Sequence, residues 1–168
     1  MPKIIENLPQ RLADEARRQI EESGFSAMTV RSVAKACGVG VGTVYNYYPS
    51  KEALVATFML EDWKECIGEI QRVSDESQLP QAVLQTMYDQ LLLFIRQYEP
   101  IFRDSSAAAG YTGATSPYHG ILRDQLAAPV RKFCPDDFTA QFIAEAMLTW
   151  TVAQASFDTL FGLICKLF

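Results

Sequence analysis

Histidine is nearly absent from this 168-residue chain. His119 stands alone, in a Ser/Thr/Gly-rich stretch with no flanking nucleophile motif, so triad chemistry has thin support. The four cysteines, Cys37, Cys66, Cys134 and Cys165, form no C-x-x-C pair and do not cluster with the histidine. No zinc site is expected, and each thiol is expected to serve as a small buried hydrophobe in a reducing compartment. Long hydrophobic runs are missing as well. The longest spans Leu91 to Ile95, far short of the ~18 residues a bilayer span demands. Met1 to Gln10 carries Glu6, Pro9 and no apolar core, so no secretory signal is expected and the chain is expected in the cytosol. Glycine and proline are sparse, at 9 and 8, beside 49% hydrophobic residues, which excludes collagen-like and disordered classes.

Charge is distributed unevenly. The net charge of −5 taken whole argues against a polyanionic partner. Residues 1–51 nevertheless carry seven basic against five acidic side chains, and the remainder eight against fifteen. A mildly basic head (+2) on an acidic body (−7) is the asymmetry expected when one end meets phosphate.

Clean apolar/polar alternation is lacking and β-branched residues are scattered, so the fold class is all-α. A first helix is predicted from Pro9 to Ser23, with Leu12, Ala16 and Ile20 on one face and Gly24 ending it. Thr29 is placed as an N-cap before a second helix stopped at Gly38, and a third short helix covers Gly40 to Tyr48. Ser50 caps a long fourth helix from Lys51 to Val73. The polar stretch Ser74 to Pro80 is the first break between helices of head and body. A fifth helix, Gln81 to Tyr98, ends before Pro100; the next ordered helix runs from Tyr118 to Lys132, bent near Pro129. Pro135-Asp136-Asp137 opens one long last helix continuing almost to Phe168, with Phe138, Phe142, Met147, Trp150, Phe157, Leu160, Phe161 and Ile164 as its apolar face. That face is too apolar for the edge of a monomer.

The chemically informative stretch is Thr29 to Leu54, TVRSVAKACGVGVGTVYNYYPSKEAL. It reads as helix, tight glycine turn, helix: two segments too short to stand alone, packed between the first and fourth helices. The second of them projects outward, offering Gly40, Gly42, Thr43, Asn46 and Tyr47, with Val44, Tyr48 and Tyr45 more inward. The run Gly38-Val39-Gly40-Val41-Gly42 is not a nucleotide cradle, because its spacing is not G-x-G-x-x-G, no strand precedes it and no P-loop lysine follows. Lys51 and Arg31 both sit in first helical turns, where the macrodipole disfavours a cation unless an anion is adjacent.

At these residues the sequence resembles the TetR family of bacterial transcriptional repressors, across roughly residues 11–54. The string V-A-x-A-C-G-V-x-x-G-T-V-Y-N-Y-Y-P-S-K-E-A-L carries the likeness. The resemblance implies a helix-turn-helix DNA-binding domain over residues 1–52 and a helical effector-binding and dimerisation domain over 53–168. It implies a homodimer on a palindromic double-stranded DNA operator, released by a small-molecule effector. Phosphate contacts would then fall on Thr29, Tyr45, Tyr47 and Lys51, and base-facing positions on Arg31, Val41, Gly42, Thr43 and Asn46. Catalytic residues, metal and cofactor are not expected. The chain is one helix short of the family's usual dimer interface, which leaves dimerisation to the last helix or helices, or places the native end past Phe168. Nothing after Pro80 matches an effector-class signature. Physical chemistry alone suggests Tyr88, Phe94, Tyr98, Phe102, Tyr111, His119 and Trp150 as effector-site candidates, with His119 expected at the surface. Two alternatives keep the fold: a protein-interaction regulator that has lost DNA binding, and an all-α small-molecule carrier.

Overall fold

A computed structural model describes residues 7–102 and 117–168. Among the described residues every regular element is helical. The chain divides into two compact units. The first holds the described residues up to Asp62 with the end of the fifth helix from Pro100; the second holds Trp63–Glu99 and residues 117–168.

In the first unit, α1 (Leu8–Ser23) buries Leu12, Ala13, Ala16 and Ile20. Gly24, at φ 83°, donates its N–H to the Ile20 carbonyl at 2.8 Å and turns the chain out of the helix. The helix α2 (Val30–Cys37) starts from a capping box. The Thr29 hydroxyl accepts the Ser32 N–H at 3.0 Å, and the Ser32 hydroxyl accepts the Thr29 N–H at 3.1 Å. Gly38, at φ 71°, closes it, a left-handed conformation that any side chain would strain. After this turn α3 (Val41–Tyr47) buries Val44. Tyr48 follows it, buried, with its hydroxyl donating to the Pro9 carbonyl at 3.0 Å. The long helix α4 (Lys51–Glu76) begins where the Ser50 hydroxyl accepts the Ala53 N–H at 3.1 Å. Leu54, Val55 and Phe58 on its first turns are buried. The unit is thus short helices held by caps and by an apolar centre, as their length requires.

The second unit takes α4 from Trp63 onward, α5 (Pro80–Phe102) up to Glu99, α6 (Pro117–Ala127), a 3-10 turn (Ala128–Phe133), α7 (Asp137–Val152) and α8 (Phe157–Ile164). Ile70, Leu84, Met87, Leu91, Leu126, Ile143 and Met147 form its fully buried centre. The end of α4 is fastened: the Ser74 hydroxyl donates to the Pro129 carbonyl at 2.6 Å. The Lys132 ammonium donates to the carbonyls of Ser74 and Ser77, a cation placed on the negative end of a helix.

Three expectations about these elements are corrected. Pro100 does not end α5, which continues through it to Phe102. Proline's fixed φ suits a helix, and the buried side chains of Tyr98 and Ile101 on either side offset the lost hydrogen bond. The long last helix is two helices. Gln154 adopts φ 62°, its N–H bonds the Thr151 carbonyl at 3.0 Å, and the Ser156 side chain caps Thr159 to start α8. This break lets Phe157, Leu160 and Ile164 join the core while Phe138, Phe142 and Trp150 stay exposed. The third concerns the thiols: Cys37 and Cys66 are buried, but Cys134 is half-buried and Cys165 exposed.

Candidate nucleic-acid interface

Between Glu22 and Glu52 the sequence holds three cations, Arg31, Lys35 and Lys51, and no acid. Arg31 and Lys35 are exposed on α2. On α3 the exposed residues are Gly42, Tyr45, Asn46 and Tyr47, with Val41 and Thr43 partly covered. Tyr45 and Tyr47 are 50% and 49% exposed, whereas Val44 is sealed. A seven-residue helix that buries one valine and turns two tyrosines and an asparagine outward has its outward face free for a partner. The inward expectation for Tyr45 is corrected: the buried position on this turn is taken by Tyr48. Gly42 leaves its side open, since a Cβ there would meet nothing within 4 Å.

Two of the phosphate-contact candidates already have local partners. Thr29 is exposed, but its hydroxyl serves the capping box and also donates to the Ser32 hydroxyl at 3.1 Å. The Lys51 ammonium donates to the Phe25 carbonyl and lies 4.0 Å over the Phe25 ring. It therefore ties the turn after α1 to the start of α4. Sequence reasoning missed Gln19, whose Oε1 accepts the Ser32 hydroxyl at 2.5 Å and whose Nε2 donates to Glu15 at 2.7 Å. A glutamine mid-helix carries no signal for that role.

The effector-site candidates separate. Phe94 lies between Trp63, with ring centroids at 5.3 Å, and Tyr98 at 4.7 Å. Tyr88 donates its hydroxyl to the Ala155 carbonyl at 3.0 Å and faces Phe157 at 5.8 Å. His119 is not on the surface as expected: its side chain is 18% exposed, and its Nε2 lies 2.9 and 3.0 Å from the Glu145 carboxylate. Partial burial pushes the Glu145 carboxyl up, but hydrogen bonds from His119 and Thr149, with Arg123 nearby, outweigh it and hold the group below its usual range. Trp150 is exposed. The Phe102 side chain and all of Tyr111 lie outside the described residues. The buried Trp63 also carries a polar contact, since its indole N–H donates to Gln125 at 2.6 Å. Burial alone pushes the Cys66 thiol up to about 12. Among the described residues no three His, Cys, Asp or Glu side chains gather as metal ligands, and no helix is long and apolar enough to cross a membrane.

Comparison with known proteins points to the same segment. Residues 12–57 match the family model "Bacterial regulatory proteins, tetR family". The HTH-type transcriptional regulator UidR of Escherichia coli is 31% identical over 58 residues, 34% of this chain and 30% of UidR. The HTH-type transcriptional regulator SAB2452 of Staphylococcus aureus is 28% identical over 90 residues, 54% of this chain and 48% of that one. The matches to these curated relatives thus span a third to a half of their lengths. The crystal structure of Thermus thermophilus FadR, a TetR family repressor in complex with lauroyl-CoA, superposes with a TM-score of 0.66 at 20% identity, over 95% of this chain and 92% of that one. The family likeness is thus carried by residues 12–57, the two curated relatives are named as transcriptional regulators, and the structural match extends the shared fold over most of the chain.

Proposed function

We propose that this chain, through its likeness to TetR-family regulators, is a DNA-binding transcriptional repressor that acts as a homodimer on a palindromic operator and is released by a small effector. The observation that carries the reading is the exposed face of α3, Gly42, Asn46, Tyr45 and Tyr47, in a segment holding cations and no acid. In a helix-turn-helix the second helix enters the major groove while neighbouring helix ends meet phosphate. Arg31, Val41, Gly42, Thr43 and Asn46 then face base edges. Thr29, Tyr45, Tyr47 and Lys51 face the backbone; Thr29 does so through the α2 N-terminus that it caps, Lys51 from its seat on Phe25.

Dimerisation is assigned to α7 and α8, where Phe138, Phe142, Trp150, Val152 and Leu163 are all more than half exposed. Large exposed apolar side chains on two successive helices suit a partner surface. The effector site is assigned to the second unit, around Trp63, Phe94, Tyr98 and Gln125, with Tyr88 and His119 contributing polar groups. An apolar or amphipathic effector suits such walls, and the lauroyl-CoA bound by the Thermus relative is of that kind. Effector entry would shift α4 and move the two reading helices off the ~34 Å spacing of successive major grooves. Such a regulator works in the cytoplasm.

The test is an electrophoretic mobility titration on the DNA flanking its own coding sequence, with sedimentation to give the oligomer. Saturable, salt-sensitive retardation by a dimer supports the reading. Folded dimer that retards no duplex at low salt rejects it.

A further inference from the structure

Arg17 on α1 and Asp62 on α4 form a two-pronged ion pair, Nη1 to Oδ2 at 2.8 Å and Nη2 to Oδ1 at 2.9 Å. The Arg17 side chain is 30% exposed and that of Asp62 18%. The guanidinium also lies 4.9 Å over the ring of Phe58, one helical turn before Asp62 and itself buried. Other ion pairs of α1 behave differently: Arg18 pairs with Glu15 and Glu22, three and four residues away, and stiffens only its own helix. The Arg17 pair instead bridges 45 residues of sequence and joins two helices.

The geometry matters because of what each partner can do. A bidentate arginine–carboxylate pair fixes orientation as well as distance, whereas apolar contacts alone set no direction. Partial burial protects the pair from the salt screening that makes exposed pairs weak. Its position is equally telling. Asp62 is the last α4 residue of the first unit, and Trp63, the next residue of the same helix, belongs to the core of the second.

We infer that Arg17 and Asp62 are positioning residues for DNA reading. They clasp α1 to α4 at the last α4 residue of the first unit, so that α1, α2, α3 and α4 up to Asp62 turn as one body and α3 keeps a fixed setting on the α4 axis. The inference rests on the proposed DNA-binding function. A dimer discriminates half-site spacing only as far as each reading helix is held. The clasp is therefore a determinant of spacing selectivity rather than of contact with DNA.

The test uses a duplex selected by the wild-type protein from a random pool, and the same duplex with one base pair inserted between its half-sites. Wild-type protein is expected to prefer the selected spacing by about tenfold or more. Asp62→Asn keeps the shape but loses the charge, and is expected to shrink that preference to about threefold or less while exposing α1 amides to faster hydrogen exchange. Arg17→Lys keeps the charge without the fork and falls between. The double exchange of Arg17→Asp with Asp62→Arg restores the preference in part. A lowered melting temperature in Asp62→Asn with spacing preference unchanged would mean the pair only stabilises the fold, and overturns the inference. If Asp62→Asn does not fold, Arg17→Lys decides in the same way. Wild-type protein that selects no duplex removes the DNA-binding reading itself, and this inference with it. Selection by the wild type with spacing kept by every variant removes the inference alone.

Discussion

Both units leave aromatic side chains in solvent, but in different electrical company. On α3, Tyr45 and Tyr47 are about half exposed, in a stretch of sequence that also holds Arg31, Lys35 and Lys51 and no acid. On α7, Phe138 and Phe142 are 78% and 53% exposed beside Asp137 and Glu145. Tyrosines carry a hydroxyl for a polar partner, whereas phenylalanines offer only apolar area. The same degree of exposure therefore suits the two proposed partners differently: a polyanion for the first unit and another apolar protein surface for the second. A net charge of −5 is compatible with the proposed DNA binding, since surface charges more than about 10 Å apart are largely screened.

The strongest way to break this contrast is to place an acid on the reading face. Gly42→Asp meets no atom within 4 Å of its new Cβ, and a carboxylate in the first turn of α3 suits the helix dipole. The melting temperature should hold or rise slightly. Affinity for operator DNA should fall by about 100-fold, the scale of a lost base contact plus repulsion from phosphate, as read by fluorescence anisotropy. Equal loss of stability and binding would mean that α3 is a structural helix.

Next in size is Phe142→Glu on α7. Loss of a central aromatic anchor costs an interface about 2 kcal/mol or more, so sedimentation should show dissociation at concentrations where the wild type is dimeric. The monomer should melt no lower, because Phe142 contributes little to its own core. Unchanged self-association would take this face out of the dimer.

Smaller again is Ser32→Ala, which breaks the capping box and the bond to Gln19. About 1 kcal/mol of stability should be lost in chemical denaturation, together with ordering of the α2 N-terminus proposed to face phosphate. The slightest effect belongs to Glu145→Gln. Because His119 and Thr149 hold the Glu145 carboxyl below its usual range, its contribution is present above the ordinary carboxylate pKa and is lost as pH falls through the depressed value. Melting temperatures between pH 7 and pH 3 should therefore fall less in the variant than in the wild type. Identical slopes would show that the pair does not couple folding to pH.

Legibility in the sequence followed the reach of the forces involved. Thr29, Gly24 and Gly38 act through neighbours three or four residues away, and the helix ends they set were readable. The stop at Ala153–Ser156 was not. Its apolar periodicity continues through the gap, and the reason to break is the distant core that Phe157 and Leu160 enter. Pro100 misled because the local rule against proline yielded to burial on both sides. Among site residues, Asn46 and Tyr47 were placed outward by spacing alone, while Gln19, Asp62, Gln125 and Glu145 do their work across helices and leave no local mark.

The central claim is that the outward face of α3 reads base edges, and the most direct measurement compares the duplexes that wild-type protein and Asn46→Ala retain from a random pool. The account predicts an inverted repeat for the wild type, and for Asn46→Ala the same repeat with preference relaxed at one symmetric pair of positions. A variant whose sequence profile matches the wild type at every position would contradict it.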